Sequence, residues 1–404
     1  MIVRHGTGRR PAYPAAAAVF AVGMAGTTLP TPLYGLYREE LGFSELMVTV
    51  VFAVYAIGVI AVLLLAGNYS DRVGRRPVLL VALAFSALSA VCFVADFLSG
   101  FTSGAGLPLL FAGRLLSGFS AGLFSGAATA AVLELAPPER KSRAGFAAAA
   151  ANMGGLGCGP LLAGLLAQYA PWPLALPYLT HLALIAVACV LVLLLPETVD
   201  HRERWPGLRP QGLVVPPEVR SVFAPSALAA FAGFSLLGLF TAVAPAFVSQ
   251  TLGVANLAVS GAVVFSVFLG STAGQSLTEK LGARRALPVG CLVLVVGLAL
   301  VATSLAVESL PALVVGALCG GIGQGLAFRA ALTSVAAAAP AEHRGGTIST
   351  FFVVAYTGIS LPVVGVGALT VALGLRAAGL TFTACVAVLA AGTAVHLLRG
   401  SRHN

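Results

Sequence analysis

The stretch Gly67-Asn68-Tyr69-Ser70-Asp71-Arg72-Val73-Gly74-Arg75-Arg76-Pro77 decides how the rest of the chain is read. Long apolar runs flank it, and it holds the first dense cluster of charge within the apolar body of the sequence. A link this short joins two successive membrane helices as an antiparallel hairpin. Its arginines keep it on the cytoplasmic side, because basic loops resist translocation. Gly67 lets the preceding helix end in close packing, and Gly74 supplies the positive φ that a tight reversal needs. Asp71 can accept from backbone N–H groups at a nearby helix start, or pair with the arginines beside it.

Composition sets the same frame. The 404 residues are 58% hydrophobic and 9% charged, whereas soluble domains carry about a quarter charged residues. The net charge of +9 is scattered through short loops between apolar spans. That pattern reads as membrane topology and argues against nucleic acid as a partner. Six cysteines lie in apolar stretches with no CxxC pair, which makes them packing residues rather than metal ligands or a disulfide frame. Neither Lys141 nor Lys280 closes a phosphate-cradling loop, and no HExxH or GxSxG occurs. ATP-driven transport by this chain alone is thereby excluded, an intramembrane hydrolase has no visible machinery, and no cofactor is expected.

Twelve spans of about twenty residues, the length that crosses the hydrocarbon core, are predicted. They lie near 13–35, 45–67, 77–97, 108–134, 143–168, 174–196, 225–249, 257–278, 286–306, 311–336, 346–369 and 377–398. The basic, then apolar, N-terminal stretch reads as a retained first span rather than a cleaved leader. The long polar segment Glu197 to Phe223, with Trp205, divides the chain. The division gives an N-terminal six-helix bundle (1–196), a cytoplasmic linker (197–224) and a C-terminal six-helix bundle (225–404). With the N-terminus inside, the cytoplasmic segments take all but four of the 23 basic residues, including Arg4, Arg9, Arg10, Arg202, Arg204, Arg209 and Arg402. Arg38 and Arg376 fall in outer loops, and Arg114 and Arg329 fall within spans. Both termini are therefore expected in the cytoplasm, and the protein in the plasma (inner) membrane.

The halves repeat. Glu279-Lys280-Leu281-Gly282-Ala283-Arg284 is a degraded copy of Asp71-Arg72-Val73-Gly74-Arg75-Arg76, with Gln275 where Gly67 would stand. Leu41-Gly42 is matched by Leu252-Gly253, each after a proline-bearing span. Similar halves with a substrate site near the midplane between them are a general plan of transporters.

The spacing Gly-x-x-x-Asp-Arg-x-Gly-Arg-Arg resembles the helix 2–3 loop signature of the major facilitator superfamily, with every signature position filled. The resemblance implies an all-α membrane protein, its twelve transmembrane helices in two pseudo-symmetric six-helix bundles working by alternating access. In that family an acid at the end of helix 4 pairs with the loop arginines and locks the cytoplasmic ends together when the protein opens outward. Glu134 stands at that place. The expected conformational gate is thus Gly67, Asp71, Arg72, Gly74, Arg75, Arg76 and Glu134.

Arg114 is the sharpest point in the apolar body. An arginine near a helix centre costs roughly 2.5–3.5 kcal/mol on insertion scales. Six residues beyond Pro108 is about 9 Å along a helix, which permits snorkelling to the outer surface. Gly118, Gly122 and Gly126 instead mark a face of close helix contact beneath it. Arg114-Leu115-Leu116-Ser117-Gly118 also resembles the helix 4 arginine motif of proton-coupled exporters in the superfamily. The balance favours a cavity-facing arginine that perturbs a protonatable group or attracts an anionic part of the substrate. Gly118, Asn152, Gln324, Tyr55 and Tyr356 are expected beside it in the coupling and substrate cavity. Arg329, eighteen residues past Pro311, is expected to snorkel at the cytoplasmic end of its span. His181 and His396 read as hydrogen-bonded structural residues.

Gly155-x-x-x-Gly159-Pro160-x-x-Ala163-Gly164 resembles the helix 5 motif associated with antiporters, although Phe146 and Ala163 stand where glycines are usual. Proline bends the span and the glycines admit a neighbour against the bend. None of the fourteen acids is mid-span, so Glu45 and Asp96, near outer ends, remain as coupling candidates. The expectation is a monomeric, non-enzymatic secondary transporter in a lipid bilayer, carrying out proton-coupled efflux of a lipophilic or amphipathic small molecule. The alternatives are uptake or facilitated diffusion of a neutral metabolite, and a polytopic membrane enzyme or sensor without translocation.

Overall fold

Hydrocarbon offers the backbone no hydrogen bonds, so a spanning segment must satisfy its own as a helix. The computed structural model of the chain describes residues 12–98, 106–200, 207, 210 and 212–400. Within them are twelve helices long and apolar enough to cross a membrane. They are α1 (Tyr13–Leu41), α2 (Glu45–Ala66), α3 (Arg75–Leu98), α4 (Gly106–Glu134), α5 (Lys141–Tyr169) and α6 (Leu176–Leu194) in the first half. The second half holds α7 (Arg220–Ala242), α8 (Leu257–Leu281), α9 (Ala283–Val307), α10 (Leu310–Ala338), α11 (Arg344–Leu373) and α12 (Leu375–Gly400). The 22 residues of α2 reach about 33 Å and the 19 of α6 about 28 Å, close to the thickness of the apolar core. The protein is an all-α, multi-pass membrane protein. Arg4, Arg9, Arg10, Arg202, Arg204, Trp205, Arg209, Arg402 and the Asp96 side chain lie outside the described residues.

Where helices end, the local sequence gives the reason. Pro30 and Pro32 have no N–H to continue a helical ladder, so α1 passes through a 3-10 turn at Thr31–Leu33 before resuming as Tyr34–Leu41. In the second half α7 stops at Ala242, and Pro245 sits in a short turn that runs into a π-turn at Phe247–Thr251. The two breaks correspond under the internal repeat. So do the left-handed glycines: Gly42 (φ 68°) pairs with Gly253 (66°), and Gly74 (115°) with Gly282 (74°). A Cβ would strain each of these reversals. Ser44, Asn256 and Ser309 accept from backbone N–H groups and cap α2, α8 and α10.

The seventh span, expected near 225–249, is shifted toward the N-terminus and ends at Ala242. Helix α7 begins at Arg220, inside the segment assigned to the linker, and a 3-10 turn at Pro217–Val219 leads into it. Pro225 near its start forfeits one backbone hydrogen bond without ending the helix.

The first six helices pack together, as do the last six, and two seams join the bundles: α5 against α8 and α2 against α11. The repeat exchanges one seam for the other. Both are closest at the end opposite the Gly67–Pro77 loop, and both depend on missing side chains. A Cβ on Gly261 would stand 2.3 Å from the Pro160 carbonyl oxygen, and one on Gly164 2.4 Å from that of Leu257. On the other seam, a Cβ on Gly367 would meet Thr49 Oγ1 at 2.1 Å. Polar clasps close the same end: Leu257 N–H donates to Gln168 Oε1 (2.8 Å) and Gln250 Nε2 to Glu45 Oε1 (2.5 Å). Glu45 also pairs with Arg38.

Gly164→Val should therefore wedge α5 from α8 and destabilise the protein by roughly 1–3 kcal/mol, the usual range for overpacking. Gly154→Ala, with nothing within 4 Å of its added Cβ, should leave the unfolding midpoint unchanged or raised. Thermal unfolding of the two purified variants in the same detergent checks the contrast.

Candidate substrate cavity and the basic-loop network

The opposite ends of the seams splay apart. Between them a cavity of about 700 Å³ opens at the end carrying the Gly67–Pro77 loop, the basic end. Its described lining comes from α1, α2, α4 and α5 and from α7, α8, α10 and α11, so α3, α6, α9 and α12 stand outside it. Leu133, Gly145, Ala336 and Ile348 form the mouth, while Thr27, Arg114 and Thr241 lie deep. The wall of the second bundle is aromatic, with Phe234 centred 5.2 Å from Phe328 and 5.6 Å from Tyr356. Tyr55 meets Tyr356 edge-on across the two bundles at 6.4 Å.

Arg114 occupies the deep end of this space. Helix α4 starts at Gly106, which puts Arg114 about 12 Å along it, deeper than a count from Pro108 suggests. The residue is 1% exposed and turned toward α1, so its guanidinium does not snorkel to the nearer end. Nη1 donates to the Thr27 carbonyl oxygen at 2.6 Å. The guanidinium carbon lies 4.9 Å from the Tyr55 ring centre and 5.4 Å from that of Phe52, within cation–π range. Nε is buried with no hydrogen-bond partner. Among the described lining residues none is Asp or Glu.

The other residues expected in the cavity divide. Tyr55, Tyr356 and Asn152 line it, and the Asn152 Oδ1 is buried without a partner. Gln324 does not line it: this fully buried side chain accepts from Ser271 Oγ at 2.6 Å, behind the wall between α8 and α10. Gly118 does not line it either, because it packs on α2, where its Cβ would stand 2.2 Å from the Tyr55 carbonyl oxygen. Arg329 reaches the mouth but is not a bare snorkelling cation. It donates to Glu279 (2.5 Å) and to the Gln275 carbonyl oxygen (3.2 Å). His181 is buried beside Gly26 and shares a 3.0 Å hydrogen bond with Ser86, whereas His396 is exposed.

The helix 5 glycines serve two neighbours. Gly155 and Gly159 admit α1, with the Ala21 and Ala25 carbonyl oxygens 2.6 and 2.2 Å from their would-be Cβ atoms. Pro160 and Gly164 face α8 on the inter-bundle seam. Thr28 Oγ1 fixes α1 further by donating to the Leu156 carbonyl oxygen at 2.6 Å.

At the basic end the loop residues form a network. Tyr69–Val73 is one helical turn, carrying Asp71 and Arg72, between Gly67, which caps α2, and Gly74. Arg75 is its hub: it contacts Asp71 (2.5 Å), Glu134 (2.7 Å) and Ser70 Oγ (2.7 Å). Arg76 donates to the Leu193 carbonyl oxygen at 2.7 Å. Sequence reasoning missed Glu197, whose carboxylate accepts from the Arg75 and Arg76 N–H groups (2.8 and 3.1 Å) and so caps α3. Its one signal was an acid immediately following span six at the arginine-bearing end. Thr198 Oγ1 adds a hydrogen bond to Glu134. Every one of these contacts joins residues of the first bundle to one another or to Glu197 and Thr198 at the start of the linker, and all are formed while the cavity is open at their end. The Arg75–Glu134 pair therefore does not itself tie one bundle to the other.

A membrane protein of two six-helix bundles around a central cavity is a transporter architecture. The sequence profile of the Major Facilitator Superfamily matches residues 15–361, and the chain belongs to that family. Its sequence is 28% identical to "Multidrug resistance protein 1" of Bacillus subtilis (strain 168) over 186 residues, 46% of this chain and 44% of that protein. It is 37% identical to "Multidrug resistance protein MdtL" of Klebsiella pneumoniae (strain 342) over 93 residues, 22% of this chain and 21% of that one. The chain thus spans less than half the length of these curated relatives. Among solved structures, a POT family transporter in complex with 5-aminolevulinic acid superposes with a TM-score of 0.73 at 13% identity, covering 96% of both chains. An inward-facing, unoccupied bacterial homolog of the human lysosomal transporter Spinster superposes with a TM-score of 0.69 at 16% identity, covering 98% of both.

The network makes an ordered prediction. Glu134→Gln leaves the largely buried Arg75 without its bidentate partner and should destabilise by about 1.5–3 kcal/mol, the range for hydrogen bonds to charged groups. Asp71→Asn removes a carboxylate whose side chain is 60% exposed and should cost less than about 1 kcal/mol. Thermal unfolding of both variants checks the order.

Proposed function

We propose that the protein is a secondary active transporter of the plasma membrane that exports a lipophilic or amphipathic small molecule by alternating access, with inward protons as the coupling ion. The observation that carries this reading is the single-ended cavity, open at the basic end and closed at the other by glycine-backed seams and polar clasps. The positive-inside rule puts the basic end and both termini in the cytoplasm, so the present conformation loads from inside. The apolar and aromatic lining suits a lipophilic body. The multidrug names of the partial relatives support export, as do the helix 4 and helix 5 resemblances. Proton coupling rests on those resemblances alone. In the opposite conformation the seams of this structure open and the basic ends meet, which makes the Asp71–Arg75–Glu134 network the natural counter-surface for α11. In this reading a monomer suffices, because one chain contributes both bundles and the described cavity lining.

The test is a screen of lipophilic compounds in liposomes under an imposed pH gradient. The reading predicts accumulation against the substrate gradient that collapses with a protonophore. Counterflow that ignores the pH gradient would replace it with facilitated diffusion.

A further inference from the structure

We infer that the deep end of the cavity is an anion site, and that the cargo is an amphipathic organic anion whose carboxylate or sulfonate docks on Arg114. This deepens the export reading and rests on it. A permanent cation sits at the deep end of the cavity, and none of the described lining residues is an acid that could pair with it. The other cationic lining residue, Arg329, is held at the mouth by Glu279. A guanidinium is a fixed cation with a planar fork of donors, and the described lining offers it no carboxylate.

The hydrogen-bonding geometry agrees. The Thr27 carbonyl takes Nη1, and the rings of Tyr55 and Phe52 lie within cation–π range of the guanidinium, while Nε stays buried without an acceptor. An oxyanion meeting the Nε–Nη2 edge with two of its oxygens would satisfy that orphan donor and make the paired contact that Arg favours. The aromatic wall of Phe234, Phe328 and Tyr356 stands opposite to take an apolar body. Asn152 Oδ1, the second unpartnered polar atom of the lining, calls for a donor such as a hydroxyl or amide N–H on the same molecule. A lipophilic cation would be repelled at the deep end and would meet no carboxylate there. Export of an anion is also favoured by an inside-negative membrane potential, so the absence of an acid from the described lining is no obstacle to driving it.

Three probes of one shape and three charges test this: 1-pyrenebutyrate, 1-pyrenebutyramide and 4-(1-pyrenyl)butyl-trimethylammonium. Binding to the detergent-solubilised protein is read by fluorescence anisotropy. The carboxylate should bind more tightly than the amide by roughly 10- to 100-fold, the range for one hydrogen bond to a charged group, and the ammonium compound most weakly. Arg114→Gln should erase the preference for the carboxylate, while Arg114→Lys should keep its sign at reduced size. Thermal unfolding of each variant separates lost folding from lost binding. Tighter binding of the ammonium probe, equal binding of all three, binding of none, or a preference that survives in Arg114→Gln overturns the anion site. A liposome arm then distinguishes the two levels of the argument. Carboxylate binding through Arg114 without transport keeps the anion site and removes the export reading. Transport of the ammonium probe but not the carboxylate keeps export and removes the anion site.

Discussion

The two bundles meet backbone to backbone, and the cavity follows from that contact. At Gly164, Gly261 and Gly367 a single methyl group would collide with a neighbouring helix. Helices pressed this closely at one end diverge toward the other, where the cavity opens. In lipid the drive for such contact is packing rather than expulsion of water. Close seams can therefore part without exposing a hydrophobic core, because hydrocarbon or the opposing conformation takes up the released surface. A joint made of missing side chains suits a rocking motion better than interlocked large ones would.

The internal repeat divides the charge unequally. In the first half the arginine hub belongs to the loop and its acid to the end of α4. In the second half the acid, Glu279, belongs to the loop-side end of α8 and the arginine, Arg329, to α10. Both pairs stand at the basic end, one beside each bundle's share of the cavity mouth. The halves thus keep a common backbone plan, down to the positive φ of Gly74 and Gly282, while their ion pairs run in opposite directions. In a closed basic end the two pairs would face surfaces of unlike charge order, which favours one register of closure over others.

Much of this was legible in the sequence because it is governed by local chemistry. Span length, basic loops, proline breaks and the glycine at a reversal each follow from a few adjacent residues, and the twelve helices appeared where those signals put them. Arg114 was legible as an anomaly because charge in an apolar run is conspicuous. The lining was harder. Helices such as α10 are apolar on nearly every face, so periodicity does not say which residues turn to a cavity and which to a neighbour. Gln324 looked like a lining residue for that reason, yet Ser271 holds it behind the wall. Gly118 was placed beside Arg114 by adjacency, whereas α2 claims it. Glu197 was assigned to a linker because its partners, the N–H groups of Arg75 and Arg76, lie more than a hundred residues away. Tertiary contacts of that range leave no trace in a single sequence.

Alternating access requires the two bundles to exchange which end is open. The most direct measurement is a pulsed electron-resonance distance between spin labels at Gly145 and Gly345, in a background with the six native cysteines replaced. Both glycines have open space around them, and they begin α5 and α11 at the basic end, one in each bundle. Exchange between the two states should give two distance populations whose ratio shifts when a transported compound or a pH step is applied, the shorter one corresponding to a closed basic end. A single distance that no ligand, pH or membrane condition alters would contradict it.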